Sequence, residues 1–478
     1  MDKFFKITQK GSTVRTEIIA GVTTFMAMAY ILLVNPGMFG YLGGEKGSEG
    51  FASMYGAVYI ATAVSAVIGT ALIGLLANLP LAQASGMGLN AFFVYTVCFG
   101  LGFTYANALL FVLADGVLFV ILTATGLRNI IFNAIPKPVK AAIPAGIGLF
   151  IAFLGLQDSG LVVANESTGV TLASFNLLGG VTWAEIMPLI VTVITLILIA
   201  VLSKKNVKGA ILWSILIGAI LYYAFGFTTG MYNQAFFDSL SFNPFEAFGQ
   251  FADNAFLKVF TEGFNFDTYL AAEGHSVGGL VIAFITTALA FCLVDMFDTL
   301  GTLYGACRAG DLLVKGKDGE MEVPNMNKAM MADAIATCTG AVCGTSTVTT
   351  FVESSAGAAA GGKTGLSSMV TALLFAVALF FSPVAALIPA CSYSAALIFV
   401  GVLMISCVKD IDWSDVSIAV PAFLTLALMP FTYNISYGIA FGLISYIFIK
   451  LFTGKAKEIN VATYIIAALF AAMFFLTH

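Results

Sequence analysis

Two carboxylates share one face of a predicted membrane helix. They belong to the run Asp295-Met-Phe-Asp298-Thr-Leu-Gly-Thr302, which lies in a long apolar stretch. At 100° per residue, Asp295, Asp298 and Thr302 fall within about 60° of one another. Each acid in mid-membrane costs about 2.5–3.5 kcal/mol, so two on one helix favour a binding and proton-exchange site. The alternative is that both acids lie near the cytoplasmic helix end and face water.

A third carboxylate, Glu353, occupies a polar stretch, residues 343–363. Thr and Val repeat over 345–352, which predicts a short extended segment, and the small residues from Ser354 onward predict a half-helix. Such a broken span is tolerated in a membrane only where it lines a cavity or is buried in protein. At the start of the half-helix, a charged Glu353 is stabilised and can accept hydrogen bonds from ligand N–H groups. The alternative is a simple helix-capping role.

Three further side chains are weaker candidates. Asn90 lies in the half-helix that begins at 85-Ser-Gly-Met-Gly-Leu-Asn-90, where it can both donate to and accept from a ligand or, equally, a neighbouring helix. Phe25 and Tyr30 could stack on a planar ligand, although aromatic residues in membrane spans usually serve packing.

The composition determines the class of protein. The chain has 478 residues, of which 59% are hydrophobic and 10% charged, with a mean hydropathy of +0.97. These values predict an all-α polytopic membrane protein. The seven Cys form no CxxC pair, so no metal site or cofactor is expected. No P-loop or nucleophile–base pair is visible, which argues against ATP as energy source and against an enzyme.

We expect fourteen spans, with short extended segments before broken spans 3 and 10. Residues 230–275 are predicted to form an external interfacial segment, and the disposition of the apolar run 461–477 stays open. With a cytoplasmic N-terminus, all but Lys46 and Lys258 of the 21 Lys and Arg fall on the cytoplasmic side, which supports the count. The predicted spans are about 15–39, 53–77, 85–102, 105–127, 141–156, 184–203, 209–227, 276–304, 329–344, the broken span within 343–363, 366–388, 391–408, 416–433 and 436–453.

A weak internal repeat is visible at two places. Ala20–Ala27 matches Ala283–Ala290, and Gln83–Gly88 matches Val352–Gly357, at offsets of 263 and 269. Seven spans per half is an odd number, so the second half must be inverted relative to the first. Inverted repeats with paired broken helices indicate a secondary transporter whose site lies where the breaks meet.

Four motifs carry a resemblance to a known family. They are 16-TEIIAGVTTFMAMAYILLVNP-36, 86-GMGLNAFF-93, 295-DMFDTLG-301 and 345-TSTVTTFVESSAG-357. Together they resemble the AzgA-like branch of the nucleobase–cation symporters, related to the xanthine and uracil permeases, which transport adenine, guanine and hypoxanthine.

The resemblance implies two inverted seven-span repeats that form two domains. Residues 15–134 and 276–384 form a core (transport) domain from spans 1–4 and 8–11. Residues 135–229 and 385–454 form a gate domain from spans 5–7 and 12–14. It also implies that Asp295 and Glu353 contact the base, with Asn90 as a further contact, and that Asp298 serves proton coupling. The full predicted substrate site is Glu353, Asp295, Asn90, Ser354, Val352 and Phe25, and the predicted proton-coupling residues are Asp298 and Asp295.

The expected function is import of purine nucleobases by proton symport, with the core moving against the gate. The partners are then a purine base, protons rather than sodium, and the lipid bilayer of a cell membrane (plasma or bacterial inner), without nucleic acid. An anion or carboxylate transporter of the same architecture is one alternative, which the three acids and the lack of a mid-span Arg disfavour. A passive channel is another, which a buried titratable cluster disfavours. The preferred purine and the oligomeric state stay open, with a homodimer among the arrangements.

Overall fold

The computed structural model describes residues 2–126, 135–229, 243–272, 276–315 and 321–476. Arg128 and Lys317, which are counted in the charge pattern, lie outside these ranges. The helices are α1 Asp2–Phe5, α2 Val14–Met28, α3 Ile31–Gly40, α4 Glu49–Leu72, α5 Met87–Ala91, α6 Tyr105–Thr125, α7 Lys137–Asp158, α8 Trp183–Lys204, α9 Ala210–Thr228, α10 Pro244–Asn254, α11 Lys258–Thr261, α12 Asp267–Leu270, α13 Val277–Ala309, α14 Met326–Cys343, α15 Ser354–Ala359, α16 Gly365–Ala378, α17 Ser382–Ala386, α18 Ala390–Met404, α19 Val416–Phe431, α20 Ile435–Phe452 and α21 Val461–Leu476. The strands are β1 Gln83–Ser85, β2 Val162–Asn165, β3 Gly169–Leu172, β4 Val314–Lys315, β5 Met321–Glu322 and β6 Val348–Thr350.

The chain is a multi-pass, mostly helical membrane protein. Within the described ranges, 10 helical segments are long and apolar enough to cross a membrane. Shorter apolar helices cover Met87–Gly100, Val416–Phe431 and Val461–Ala472. The structure therefore establishes about ten spans, and the count of fourteen stays a prediction. The C-terminal apolar run forms α21, which packs against α20 and α13.

Local sequence signals explain where several helices begin. The side chain of Ser276 accepts a hydrogen bond from the Gly279 amide and so caps α13. Thr104 and Asn107 form a reciprocal capping box at the start of α6. Both caps lie at the ends of long apolar segments, where the first amides of a helix have no intrahelical partner.

Two broken helices meet at a short buried β-ribbon. Antiparallel β1 and β6 pair Gln83 with Thr350, Ala84 with Thr349 and Ser85 with Val348. After β1 the chain enters α5, which continues through Phe92–Gly100 in wider π-type turns, and after β6 it enters the half-helix α15. The extended segments predicted before the two broken spans therefore occur and are bonded to each other. The inverted repeat itself stays a prediction.

At one end of the bundle, hydrogen bonds join the start of α2 to the start of α16. Glu17, fully buried in α2, accepts hydrogen bonds from the amides of Lys363 and Thr364 (3.0 and 3.2 Å) and from the Ser367 hydroxyl (2.5 Å). The Lys10 ammonium donates to the carbonyl oxygens of Asn78 and Lys363. Lys10 and Lys363, which the charge pattern assigns to one side, therefore lie together.

The predicted interfacial segment is only partly described, because residues 230–242 and 273–275 lie outside the described ranges. The remainder forms three short helices, α10 to α12, of which α10 packs against α4. A β-hairpin of β2 and β3 lies between α7 and α8 and was not predicted from the sequence.

Candidate substrate-binding site

A cavity of about 300 Å³ lies where the two broken helices meet. Its walls come from Tyr30 immediately before α3, the start of α5, α13 and the β6–α15 junction on one side. The helices α7 and α18 and the turn after α18 form the other side. The first group belongs to the predicted core and the second to the predicted gate. The lining residues are Tyr30, Gly86, Met87, Gly88, Pro144, Ile147, Ile151, Phe297, Asp298, Gly301, Thr302, Gly305, Thr350, Phe351, Val352, Glu353, Val400, Leu403, Met404, Ser406 and Cys407.

Glu353 lies at the cavity wall and is oriented by a tyrosine. The hydroxyl of Tyr30, a fully buried residue, donates to Glu353 Oε1 over 2.5 Å. Glu353 adopts right-handed helical backbone angles immediately before α15, and its side chain makes no capping hydrogen bond there. Its carboxylate therefore faces Tyr30 and the cavity rather than the α15 amides.

The two acids of α13 have different surroundings. Asp298 lines the cavity together with Glu353. Asp295, one turn earlier, is fully buried and does not line it. The Thr337 hydroxyl donates to Asp295 Oδ2 over 3.2 Å, whereas Asp295 Oδ1 is buried without a hydrogen-bond partner.

Of the remaining residues predicted to bind substrate, one lines the cavity and three do not. Val352 lines the cavity. Ser354 accepts a hydrogen bond from the Ala82 amide and thereby ties α15 to the segment before β1. Asn90 is buried and donates to the Ser85 carbonyl over 3.3 Å, and its Oδ1 has no partner. Phe25 packs edge-to-face on Phe375, and neither ring lines the cavity. The structure thus brings Glu353, Asp298 and Val352 together, and the substrate contacts of all six residues stay predictions.

The sequence reasoning missed Asp333, which holds the ribbon together. Its Oδ1 accepts hydrogen bonds from Gln83 Nε2 (2.9 Å) and from the amide and hydroxyl of Thr350 (3.1 and 3.3 Å). Its Oδ2 accepts from the Thr299 hydroxyl over 2.7 Å. One carboxylate of α14 therefore joins β1, β6 and α13. Charge-assisted hydrogen bonds of this kind are about twice as strong as neutral ones.

Asp115, in the middle of α6, was missed as well. It is fully buried, as is Asp333. A single acid inside an apolar span was the available signal, because ionisable residues within membrane helices are functional candidates by default. Neither residue lies in a motif or repeats at a helical spacing, and for that reason pattern reading overlooked them.

A second cavity, of about 510 Å³, lies at the opposite end of the α3–α7 interface. It is lined by Tyr41, Gly44, Glu45, Tyr95, Phe99, Leu154, Gln157, Asp158 and Tyr433. Val34 and Leu154 each lie about one helical turn from a residue of the central cavity, and both line a small pocket that shares Tyr41 and Asp158 with the second cavity.

One hydrogen bond joins the two groups of helices at this second end, and two more lie within the second group. Tyr41, which follows α3, donates to Asp158 Oδ1 over 3.3 Å, and Ser394 donates to Asp158 Oδ2 over 2.6 Å. The Tyr433 hydroxyl donates to Gln157 Oε1. The central cavity instead extends toward Gly305, near the end of α13.

Paired broken helices around a cavity inside a polytopic bundle are typical of membrane transporters. Residues 15–472 match the Permease family (Xan_ur_permease), and the chain belongs to this family. It is similar to the guanine/hypoxanthine permease PbuO of Bacillus subtilis, with 37% identity covering 99% of this chain and 100% of the relative. The adenine permease AdeQ of Escherichia coli is 34% identical, covering 98% and 95%. These permease relatives confirm the predicted family and the prediction of a transporter rather than an enzyme.

Solved structures share the fold at low sequence identity. The transmembrane domain of the cyanobacterial bicarbonate transporter BicA superposes with a TM-score of 0.57 at 18% identity, covering 88% of this chain and 97% of that one. Murine Slc26a9, an anion transporter in the inward-facing state, gives a TM-score of 0.55 at 13% identity, covering 92% and 68%. At these identities the likeness concerns the fold alone.

Proposed function

We propose that this protein imports purine nucleobases, namely adenine, guanine or hypoxanthine, by symport with protons. The observation that carries the proposal is the central cavity, in which Glu353 and Asp298 are the carboxylates in an otherwise mostly apolar lining. Relatives named adenine permease and guanine/hypoxanthine permease support the substrate class.

The cavity matches the chemistry of a purine. A purine has a flat apolar body with N–H donors and ring nitrogens at its edge. The Glu353 carboxylate accepts from the N–H groups, while Tyr30, Phe297 and Phe351 offer aromatic surface to the ring. A volume of about 300 Å³ is at the lower end of the range for small-molecule sites, roughly 300–1,000 Å³.

An anion transporter of the same fold is the competing function, and the cavity disfavours it. Its lining residues, all within the described ranges, include two carboxylates and no Lys, Arg or His. Carboxylates repel an anion and attract N–H donors and protons.

Asp298 is the proposed proton-coupling residue, because it shares the cavity wall with the substrate acid Glu353. In this mechanism a proton on Asp298, or on the carboxyls as a coupled set, removes charge from the loaded core, which then moves past the gate. The Tyr41–Asp158 hydrogen bond between core and gate, together with the extension of the central cavity toward Gly305, supports a state open toward the proposed cytoplasmic side, where we place the N-terminus. The core and gate divisions, the fourteen-span topology and the cell membrane as location belong to the same proposal.

Purine binding to purified protein tests the substrate and the site together. A thermal-shift and radioligand screen of adenine, guanine, hypoxanthine, xanthine and uracil is expected to select purines. The isosteric Glu353→Gln variant removes a charged acceptor, so affinity should fall roughly 10- to 150-fold. The matched control is Glu17→Gln, which changes an equally buried carboxylate away from the cavity and should leave affinity unchanged. Near wild-type affinity in Glu353→Gln would remove this residue from the site.

Uptake into proteoliposomes tests the coupling. Import that responds to an imposed pH gradient and collapses with a proton ionophore supports symport. Saturable uptake that ignores the gradient would exclude proton coupling, and non-saturable flux would favour the passive channel.

A further inference from the structure

A second group of buried carboxyls does not line the substrate cavity, and the sequence assigned a role to only one of them, Asp295. It consists of Asp115 on α6, Asp295 on α13 and Asp333 on α14, all fully buried. Asp333 accepts four hydrogen bonds and is satisfied. Asp115 and Asp295 differ from it, because they leave buried oxygens without donors.

Asp115 is the most poorly satisfied member. Neither of its carboxylate oxygens receives a hydrogen bond from an N–H or O–H donor, and the weakly donating thiol of Cys292 lies beside it. Asp295 Oδ1 is also unpartnered. Cys292 is close enough to both acids to interact with each. Three carboxylate oxygens of these two acids therefore lack an N–H or O–H donor in the protein interior.

The approach of α6 to α14 brings these acids together. At Gly116, next to Asp115, a Cβ atom would lie 2.6 Å from Cys338 Sγ and 2.8 Å from the Cys338 amide nitrogen. Only a glycine permits that approach without displacing the α14 backbone. The close packing holds Asp115 near Asp333 and Asp295, with which it interacts electrostatically.

The surroundings of Asp115 contain acids and thiols. Two other elements that pack against α6 carry the titratable residues Lys258 and Cys98. Both residues lie near the start of α6, around Asn107 and Tyr105, and therefore away from Asp115. In the part of the chain that the structure describes, the charged or titratable groups that face Asp115 are Asp333 and Cys338 of α14 and Cys292 and Asp295 of α13.

An ionised carboxylate without a cation or donors is very costly in such a place. A proton removes that cost by forming an O–H bond on one carboxyl oxygen and neutralising that acid. A sodium ion fits less well, because hard cations prefer a shell of oxygen ligands and thiols occupy part of this one.

We propose that Asp115 and Asp295 form a second proton-binding site, which takes up a proton through Asp298 and holds it during the movement of the core. Asp298 lines the cavity and lies one helical turn from Asp295, so it is the entrance from water. The proton leaves the same way to water, and no other bond changes. This inference rests on the proposed proton symport and adds a site to it.

The test is gradient-driven accumulation by Asp115→Asn in proteoliposomes. A gradient of one pH unit corresponds to 1.36 kcal/mol per proton and supports about tenfold accumulation for each coupled proton. Asp115→Asn is expected to lose about one such tenfold factor while still binding purine. Thr123→Val is the matched control, since it removes another buried unpartnered oxygen of α6 that does not titrate, and it should accumulate purine as wild type does.

A second measurement keeps the inference testable if Asp115→Asn does not transport. Proton release or uptake on purine binding is counted with a pH dye in weakly buffered detergent solution, and Asp115→Asn should exchange about one proton fewer than wild type. Asp115→Glu retains a titratable group and should restore the count. An unchanged count and unchanged accumulation in Asp115→Asn would overturn the second site. A wild type that binds purine without any response to pH, or that responds to a sodium gradient alone, would instead overturn the proposed symport.

Discussion

The hydroxyl of Tyr30 offers a way to separate orientation of the substrate acid from direct contact with the substrate. In Tyr30→Phe the ring stays in place and Glu353 loses the hydrogen bond that measures 2.5 Å. A hydrogen bond to a charged group contributes about 1.5–3 kcal/mol, so the free energy of unfolding should fall by about that amount. The purine must then order a carboxylate that is free to rotate. That ordering costs about 0.5–1.5 kcal/mol, so affinity should fall roughly 2- to 12-fold.

The assay pairs thermal unfolding with equilibrium binding of radiolabelled purine to purified protein. Tyr59→Phe is the matched control, because the buried Tyr59 hydroxyl donates to the Ala378 carbonyl over 2.7 Å and lines neither cavity. The control should lose stability and keep its affinity. Unchanged affinity in Tyr30→Phe would refute the orienting role. A loss as large as that of Glu353→Gln would show that the tyrosine contacts the purine itself.

Three further substitutions probe the frame of the site. In Gly88→Ala the new Cβ would lie 2.5 Å from Ile147 Cγ2. Overpacking of this kind costs about 1–3 kcal/mol, so the rate of purine uptake should fall. Adding Ile147→Ala to this variant should restore the rate. Glu17→Ala removes the acceptor of three hydrogen bonds and should lower the free energy of unfolding by roughly 3–6 kcal/mol; an unfolding curve like that of wild type would contradict this. Asp333→Ala leaves the Thr350 amide and the Gln83 side chain without their acceptor, so the free energy of unfolding should fall by roughly 2–6 kcal/mol. Asp333→Asn can still accept at Oδ1 and should lower it by less in the same thermal unfolding assay.

The sequence predicted the parts of the structure that depend on local pattern. Repeated Thr and Val predicted the extended segment that became β6, and the internal repeat matched Gln83–Gly88, which contains β1, to Val352–Gly357. Asp298 and Glu353 were found because a polar helix face and a lone acid in a broken span differ from their surroundings. Composition alone determined the class of protein.

Contacts between distant parts of the chain were beyond pattern reading. Tyr30 meets Glu353 across 323 residues, and nothing in either segment specifies that partner. In the sequence Asp333 is a single acid in an Ala-rich helix. Only the structure shows that it accepts hydrogen bonds from both β1 and β6. Tertiary packing also decides that Asp295, on the same predicted face as Asp298, lies behind the cavity wall.

The pairing of β1 with β6 predicts which peptides exchange hydrogen for deuterium most slowly during transport. Its backbone amides bond across the two halves of the chain and are buried, so the strands cannot separate without exposing unpaired groups to an apolar interior. Hydrogen–deuterium exchange during active transport should therefore leave the peptides that carry β1 and β6 among the slowest to label. Labelling should rise instead in peptides of α7 and α18 that face the cavity. In the proposed cycle the ribbon therefore moves with the core as one rigid unit, and Glu353, three residues after β6, keeps its place beside it.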